Sequence, residues 1–236
     1  MNNDLGVFET LRTYRGHLSE VKAHLHRLRT GARLIRIPVP LSDKQLAQLL
    51  TSHCRTSGET RLKIIITRNH IITESRPLHI SRKIYTTGVG VMVYRGARQL
   101  PQVKSTNRTL EDRANNLAIT YGYFDALLLN QHGTVPEAAC GNIFYVKKNV
   151  VYTPNKDILY GITRAVVVQL AKANRINLRY HLPTVADLRA ADELFLTRSG
   201  MGIVPVVRIK QRKIGNGKPG EVTKRLMKLF AEYANR

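Results

Sequence analysis

The chain has 236 residues, enough to bury a sizeable core in one large or two small domains. Its 43% hydrophobic share is ordinary for a globular protein, and no apolar run approaches the roughly 20 residues of a membrane span. No signal peptide is expected ahead of the first strand, and two distant cysteines, Cys54 and Cys140, do not indicate a disulfide framework, so the expectation is a soluble cytoplasmic protein.

The unusual feature is charge: 38 Lys and Arg residues against 16 Asp and Glu, formally +22. That sign suits phosphate contacts and raises a nucleic-acid role. Yet the basic residues run from Arg12 to Arg236 without a block of five or six and without interleaved aromatics, and no zinc-ligand spacing is present. The competing reading is a solvated basic surface that attracts anionic substrates.

Taken in order, residues 5–15 alternate apolar and polar and predict a strand ending in a turn at Arg15-Gly16. Ser19 to about Ile35 has helical periodicity, with Val21, Leu25, Leu28, Ala32 and Ile35 on one face. Ser42 caps a second helix, Asp43 to about His53, and Gly58 ends the unit. Strands are expected at Arg61–Thr67, Ile71–Thr73 and Gly88–Tyr94. Residues 1–94 are thus expected to form a small α/β domain. Residues 95–102, aperiodic and carrying Gly96 and Pro101, read as an interdomain linker.

The remainder, 103–236, reads as an α+β domain. It holds a helix over Thr109–Tyr121, a strand at Asp125–Leu129 and a hairpin from Gly141–Val146 through Asn149 to Val150–Tyr152. A helix from Thr163 to about Asn174, a strand near 177–181, a short helix at Val185–Ala190, a strand at Glu193–Thr197 and a terminal helix from Glu221 complete it.

Within this domain Lys104 precedes the first helix and Glu137 follows the next strand, so the two can converge on one cleft. An amine and a carboxylate so placed are what a pyridoxal 5'-phosphate (PLP) enzyme requires: the amine forms a Schiff base, and the carboxylate keeps the ring nitrogen protonated. A lysine can shuttle protons only where burial or cationic neighbours lower its pKa from about 10.4 toward neutrality. Otherwise Lys104 is an ordinary surface lysine and Glu137 a solvated one, although the small residues Ala138, Ala139 and Gly141 let a flat ring approach closely. Cys140 reads as a small apolar filler rather than a nucleophile. Gly161-Ile162-Thr163-Arg164 opens a helix, so the backbone N–H groups of Ile162 and Thr163 point toward a bound anion.

The motifs occur in a fixed order: Gly6-Val7-Phe8-Glu9-Thr10-Leu11-Arg12, His24-Leu25-His26-Arg27-Leu28, Lys104 with Asn107, Glu137 with Asn142, Thr153-Pro154, Gly161-Ile162-Thr163-Arg164, and Asp192–Thr197 followed by Pro205-Val206. In that order and spacing the chain resembles the fold-type IV PLP enzymes, the group of branched-chain and D-amino-acid aminotransferases and aminodeoxychorismate lyase. The resemblance implies a small α/β domain followed by a larger pseudo-barrel domain, with PLP as cofactor and a homodimer as the assembly. It implies Lys104 as the catalytic lysine, Glu137 at the ring nitrogen, and Arg27, Ile162, Thr163 and Ser199 at the phosphate. Leu159 would pack behind the ring, and Phe8, Thr10 and Arg12 would face the substrate. Arg95 or Arg98 could grip a substrate carboxylate bidentately.

Three features depart from the family pattern. Members usually carry further residues ahead of the Gly-x-Phe-Glu-Thr strand, so this lineage is expected to be compact or the chain truncated. Ala139 and Cys140 stand where Gly-Ser-Ser is usual. Arg108 follows Asn107 where branched-chain enzymes usually have tyrosine, which is similar to many lyases, and Thr10 suits the lyase as well. Amino-acid transamination is the leading expectation. Pyruvate release from aminodeoxychorismate is the alternative, and a basic nucleic-acid binder that has lost the cofactor is the non-enzyme reading.

Overall fold

The computed structural model describes residues 5–54 and 58–235. The chain divides into two compact units. The first holds the described residues up to His79, Leu100–Arg108 and the residues from Ala234 onward, and the second holds Ile80–Gln99 and Thr109–Tyr233.

In the first unit, β1 (Gly6–Tyr14), β2 (His17–Leu18), β3 (Thr60–Thr67) and β4 (Ile71–Pro77) form an antiparallel sheet in the order β2-β1-β3-β4. Helices α1 (Val21–Leu34) and α2 (Asp43–Ser52) supply the apolar cover. Alternation along β1 and β3 puts Val7, Leu11, Leu62, Ile64 and Ile66 on one face, where they share a core with Leu25, Leu28, Ala32, Leu46 and Leu50. The helical periodicity supplies the second half of that core. Ser42 caps α2 as expected: its hydroxyl accepts from Gln45 N–H, and the Gln45 side chain accepts from Ser42 N–H at 2.8 Å, a capping box.

Residues 103–106 belong to this unit rather than to the second domain, as the sequence division had them. They run antiparallel beside the start of β1: Phe8 N–H donates to the Lys104 carbonyl at 2.9 Å, and Thr106 N–H donates to the Gly6 carbonyl at 2.9 Å. Val103 packs into the same core.

The second unit opens with α3 (Lys83–Thr87), a short helix absent from the expected elements, and β5 (Val89–Arg95). Then come α4 (Thr109–Thr120), β6 (Asp125–Leu129), β7 (Asn142–Lys147), β8 (Val150–Thr153), α5 (Ile162–Ala173), β9 (Leu178–Tyr180), α6 (Val185–Arg189) and β10 (Glu193–Arg198). β11 (Gly202–Ile209), β12 (Arg212–Lys213) and α7 (Glu221–Ala234) complete it. The eight strands make one mixed sheet along the path β6-β5-β11-β10-β7-β8-β9, with β12 on β11.

β5 thus lies in this sheet, parallel to β6 and β11, and not in the first domain to which the sequence reading gave it. β11 was not expected at all, because Pro205 in its middle argues against a central strand. β5 pairs with it only from Val206 onward, which leaves Pro205 outside that ladder. Val91 of β5, Leu127 of β6, Ile143 of β7, Leu194 of β10 and Val204 of β11 all meet in one core, so the sheet curls around its own apolar face. α4 covers the other face through Ala114 and Ala118, whose small side chains let the helix lie close to Ala126 and Leu128. No helix among the described residues is long and apolar enough to cross a membrane.

Candidate active site

In the first unit the residues of interest sit on both faces of β1. Phe8, Thr10 and Arg12 point one way by strand alternation, and Glu9 points the other, into the row of Val7 and Leu11. Phe8 is buried, and Lys104 Nζ lies over its ring at 4.7 Å from the centroid, with Lys63 at 5.3 Å and the Arg108 guanidinium at 5.5 Å. Lys104 is therefore a part-buried lysine on an aromatic face with two other cations over the same ring. Arg12 is held locally: its guanidinium stacks on Tyr14 at 4.1 Å and lies 3.9 Å from Glu59.

Glu9 is wholly buried, and Arg27 approaches it as a fork, Nε to Oε1 at 2.6 Å and Nη2 to Oε2 at 2.7 Å. His24 Nδ1 lies 2.7 Å from Oε2 and must carry the proton, since an ionised carboxylate only accepts. Burial alone would raise the Glu9 pKa, but Arg27 and His24 together hold it well below the usual carboxylate range. Burial lowers the His24 pKa against the pull of Glu9, and Arg27 and Lys104 add repulsion. Neither Glu9 nor His24 had been given a role from sequence. The available signal was a carboxylate in the apolar row Val7–Glu9–Leu11, a position that only a buried partner permits.

In the second unit, Glu137 follows β6 and is 3% exposed. Its Oε2 accepts from Leu159 N–H at 3.1 Å and from Asn142 Nδ2 at 3.4 Å, and its Oε1 accepts from Arg98 Nε at 2.9 Å. Arg98 also pairs with Glu111 of α4 at 3.1 Å, and its side chain is only 8% exposed. Burial raises Glu137 to about 7, although Arg98 and the Leu159 N–H oppose the shift; Glu111 adds to it.

Arg98, expected from sequence as one of two candidates for a substrate carboxylate, has its guanidinium between two buried carboxylates of the chain itself. Arg95, at the end of β5, is exposed. Glu111 escaped the sequence reading, although it falls at helical spacing from Ala114 and Ala118 on the buried face of α4.

The remaining expected contacts lie around Asn142. Its Nδ2 donates to the Leu159 carbonyl at 2.7 Å, and a Cβ on Gly161 would come within 2.0 Å of its Oδ1, so glycine is required at this close approach. Gly161 is the N-cap of α5, with no side-chain cap, so the first N–H groups, those of Ile162 and Thr163 included, have no partner within the helix. Thr197, opposite Asn142 in the β7–β10 register, is buried, and its Oγ1 makes no hydrogen bond to the protein. Ser199 follows in the turn between β10 and β11. An uncapped helix N-terminus and an orphaned hydroxyl, as donors, and a buried carboxylate, as acceptor, form a set of groups that fits a phosphorylated pyridine. Among the described residues no group of three or more His, Cys, Asp or Glu is placed to hold a metal ion. Neither Cys54 nor Cys140 is in a disulfide, and Cys140 packs with the apolar cluster of α4.

A model of the amino-transferase class IV family matches residues 6–209. The chain belongs to that family. Class IV aminotransferases are PLP enzymes, and this class IV member is an enzyme with a matching two-sheet fold. It is 33% identical to a Methanocaldococcus jannaschii protein provisionally named a branched-chain-amino-acid aminotransferase, over 96% of this chain and 86% of that one. It is 29% identical to the D-alanine aminotransferase of Listeria monocytogenes, over 98% of this chain and 87% of the relative. A solved Thermotoga maritima structure, provisionally named a branched-chain amino acid aminotransferase, superposes with a TM-score of 0.90 at 32% identity, covering 98% of this chain and 86% of that one.

Proposed function

We propose that this class IV aminotransferase moves an amino group between an amino acid and a 2-keto acid, with PLP held by Lys104, Glu137 and the N-terminus of α5. The observation that carries the reading is Glu137: a carboxylate buried beside that uncapped helix start, partnered on Oε2 by neutral donors and on Oε1 by a shared cation. PLP supplies the electron sink that lets an amino acid lose its Cα proton.

The chain's own residues do the rest. Lys104 would be the covalent attachment point and, once released, the base that takes and returns the substrate proton. Glu137 keeps the ring nitrogen protonated. Ile162 and Thr163 N–H, with Ser199 and Thr197 hydroxyls, donate to the phosphate, and Arg27 adds a cation whose orientation Glu9 fixes. Leu159 packs against the ring. Phe8, Thr10 and Arg12 line the substrate side, with Arg95 as the exposed cation for a carboxylate. The relatives are named both branched-chain-amino-acid and D-alanine aminotransferases, so the assignment is to transamination rather than to one donor. A homodimer in the cytoplasm completes the proposal.

The test is reconstitution with PLP followed by borohydride reduction and peptide mapping. The expected result is a visible absorption band lost on reduction, with the added mass on the Lys104 peptide. A Lys104→Ala protein is expected to lose the covalent adduct and at least roughly 10²-fold in turnover with any donor. An adduct elsewhere, or equal turnover in the variant, overturns the reading. Arg108, which lies over Phe8, favours the lyase as second reading. Formation of a keto acid from aminodeoxychorismate without an acceptor would establish it.

A further inference from the structure

The ion pairs of Glu137 and Glu111 converge on one guanidinium, that of Arg98, and neither carboxylate has a second cation within ion-pair distance among the described residues. All three groups are buried. Two negative charges thus face one positive charge in a region where water cannot supply the difference. The geometry of the guanidinium is also divided. Arg27 gives both oxygens of Glu9 a donor, whereas Arg98 gives Glu137 only Nε and turns Nη1 toward Glu111. Glu111 is held in place by its position on the buried face of α4, beside Ala114 and Ala118, so the division is built into the helix packing.

We propose that Glu111, acting through Arg98, is a positioning residue that keeps Glu137 one positive charge short, and that this deficit is what binds a protonated ring nitrogen. The proposal rests on the assignment of Glu137 to the cofactor ring made above. With Glu111, Arg98, Glu137 and a ring N–H⁺ all charged, the cluster sums to zero. With Glu111 neutral, the same cluster carries +1, and the ring proton becomes the least costly one to lose. Arg98 is then also free to turn its second donor onto Glu137 and complete the fork seen at Glu9.

The discriminating measurement is equilibrium binding to the full-length apoprotein of two probes: PLP, and its deaza analogue, in which a C–H replaces the ring nitrogen. Wild type is expected to prefer PLP. Glu111→Gln is expected to weaken PLP binding about tenfold, the equivalent of one pKa unit of charge coupling, and to leave the deaza analogue within about twofold. Glu111→Asp, which keeps the charge, is expected to restore most of the preference. Should Glu111→Gln fail to fold, Glu111→Asp against wild type still decides: with the charge kept, most of the preference is expected to remain, and its loss overturns the proposal. Equal weakening of both probes by Glu111→Gln, which a merely structural role would give, overturns it, as does no effect on either. Glu137→Gln separates the two readings. If it binds both probes as wild type does, the assignment of Glu137 itself is wrong. If it abolishes the preference while Glu111→Gln retains it, that assignment stands and the role of Glu111 falls.

Discussion

Each unit of this chain buries a cluster of charged side chains, and the two are built on opposite balances. In the first, one carboxylate, Glu9, meets the Arg27 guanidinium through both oxygens and His24 at one of them. In the second, two carboxylates, Glu111 and Glu137, share the single guanidinium of Arg98. Burial works to raise both Glu9 and Glu137. Glu9 nevertheless ends well below the ordinary range and Glu137 at about 7, because the number of cations differs and not the depth. Depth alone is therefore a poor guide to the charge of a buried group. The first cluster is closed and fixes an arginine, and the second is short of a cation among the described residues.

The sharpest way to break that contrast is to remove each guanidinium. Arg27→Met strands an ionised Glu9 in the core, and the expected loss is about 3–5 kcal/mol in urea unfolding at neutral pH. Arg98→Met should cost the apoprotein less, because Glu137 already holds its proton more readily and can neutralise itself. Equal losses would mean that the two clusters are equivalent.

The next largest effect is in the pH dependence, where the signs oppose. Glu9 binds its proton more weakly folded than unfolded, so its contribution is full above the unfolded carboxylate pKa and is lost as pH falls through and below that range. Glu137 binds its proton more tightly when folded, so the apoprotein should lose stability as pH rises from about 4.5 to about 7. The size is on the order of 3 kcal/mol over that interval. Thermal unfolding of apo Glu137→Gln across that range should show a flatter profile than wild type, whereas Glu9→Gln should flatten the acid limb instead.

Smaller effects refine the picture. Thr197→Val removes an orphaned hydroxyl and should stabilise the apoprotein by about 1 kcal/mol while weakening PLP binding, the mark of a group reserved for a ligand. Ser42→Ala, which breaks the α2 capping box far from either cluster, should cost about 1 kcal/mol and leave PLP affinity unchanged.

Local chemistry was legible wherever one element carried its own signal. The β1 alternation, the α1 stripe, the Ser42 cap and the glycine ahead of α5 were read directly, because each depends on spacing within a dozen residues. Elements whose partners lie far along the chain were not. β5 has the same alternation in either sheet, and only its parallel pairing with β6 and β11 assigns it. β11 was hidden by Pro205, whose missing donor is harmless only because β5 begins pairing one residue later. Among the proposed site residues, Lys104, Glu137, Ile162 and Thr163 stood out by motif. The partners of Arg98 were not legible, because a linker arginine gives no sign of two carboxylates at positions 111 and 137.

The sequence by itself thus determined the family and most helices and strands, since these follow from residue type and short-range period. Only the tertiary structure decided which charges face which, because an electrostatic balance is set by distances between residues far apart in sequence and by the water that packing excludes from among them.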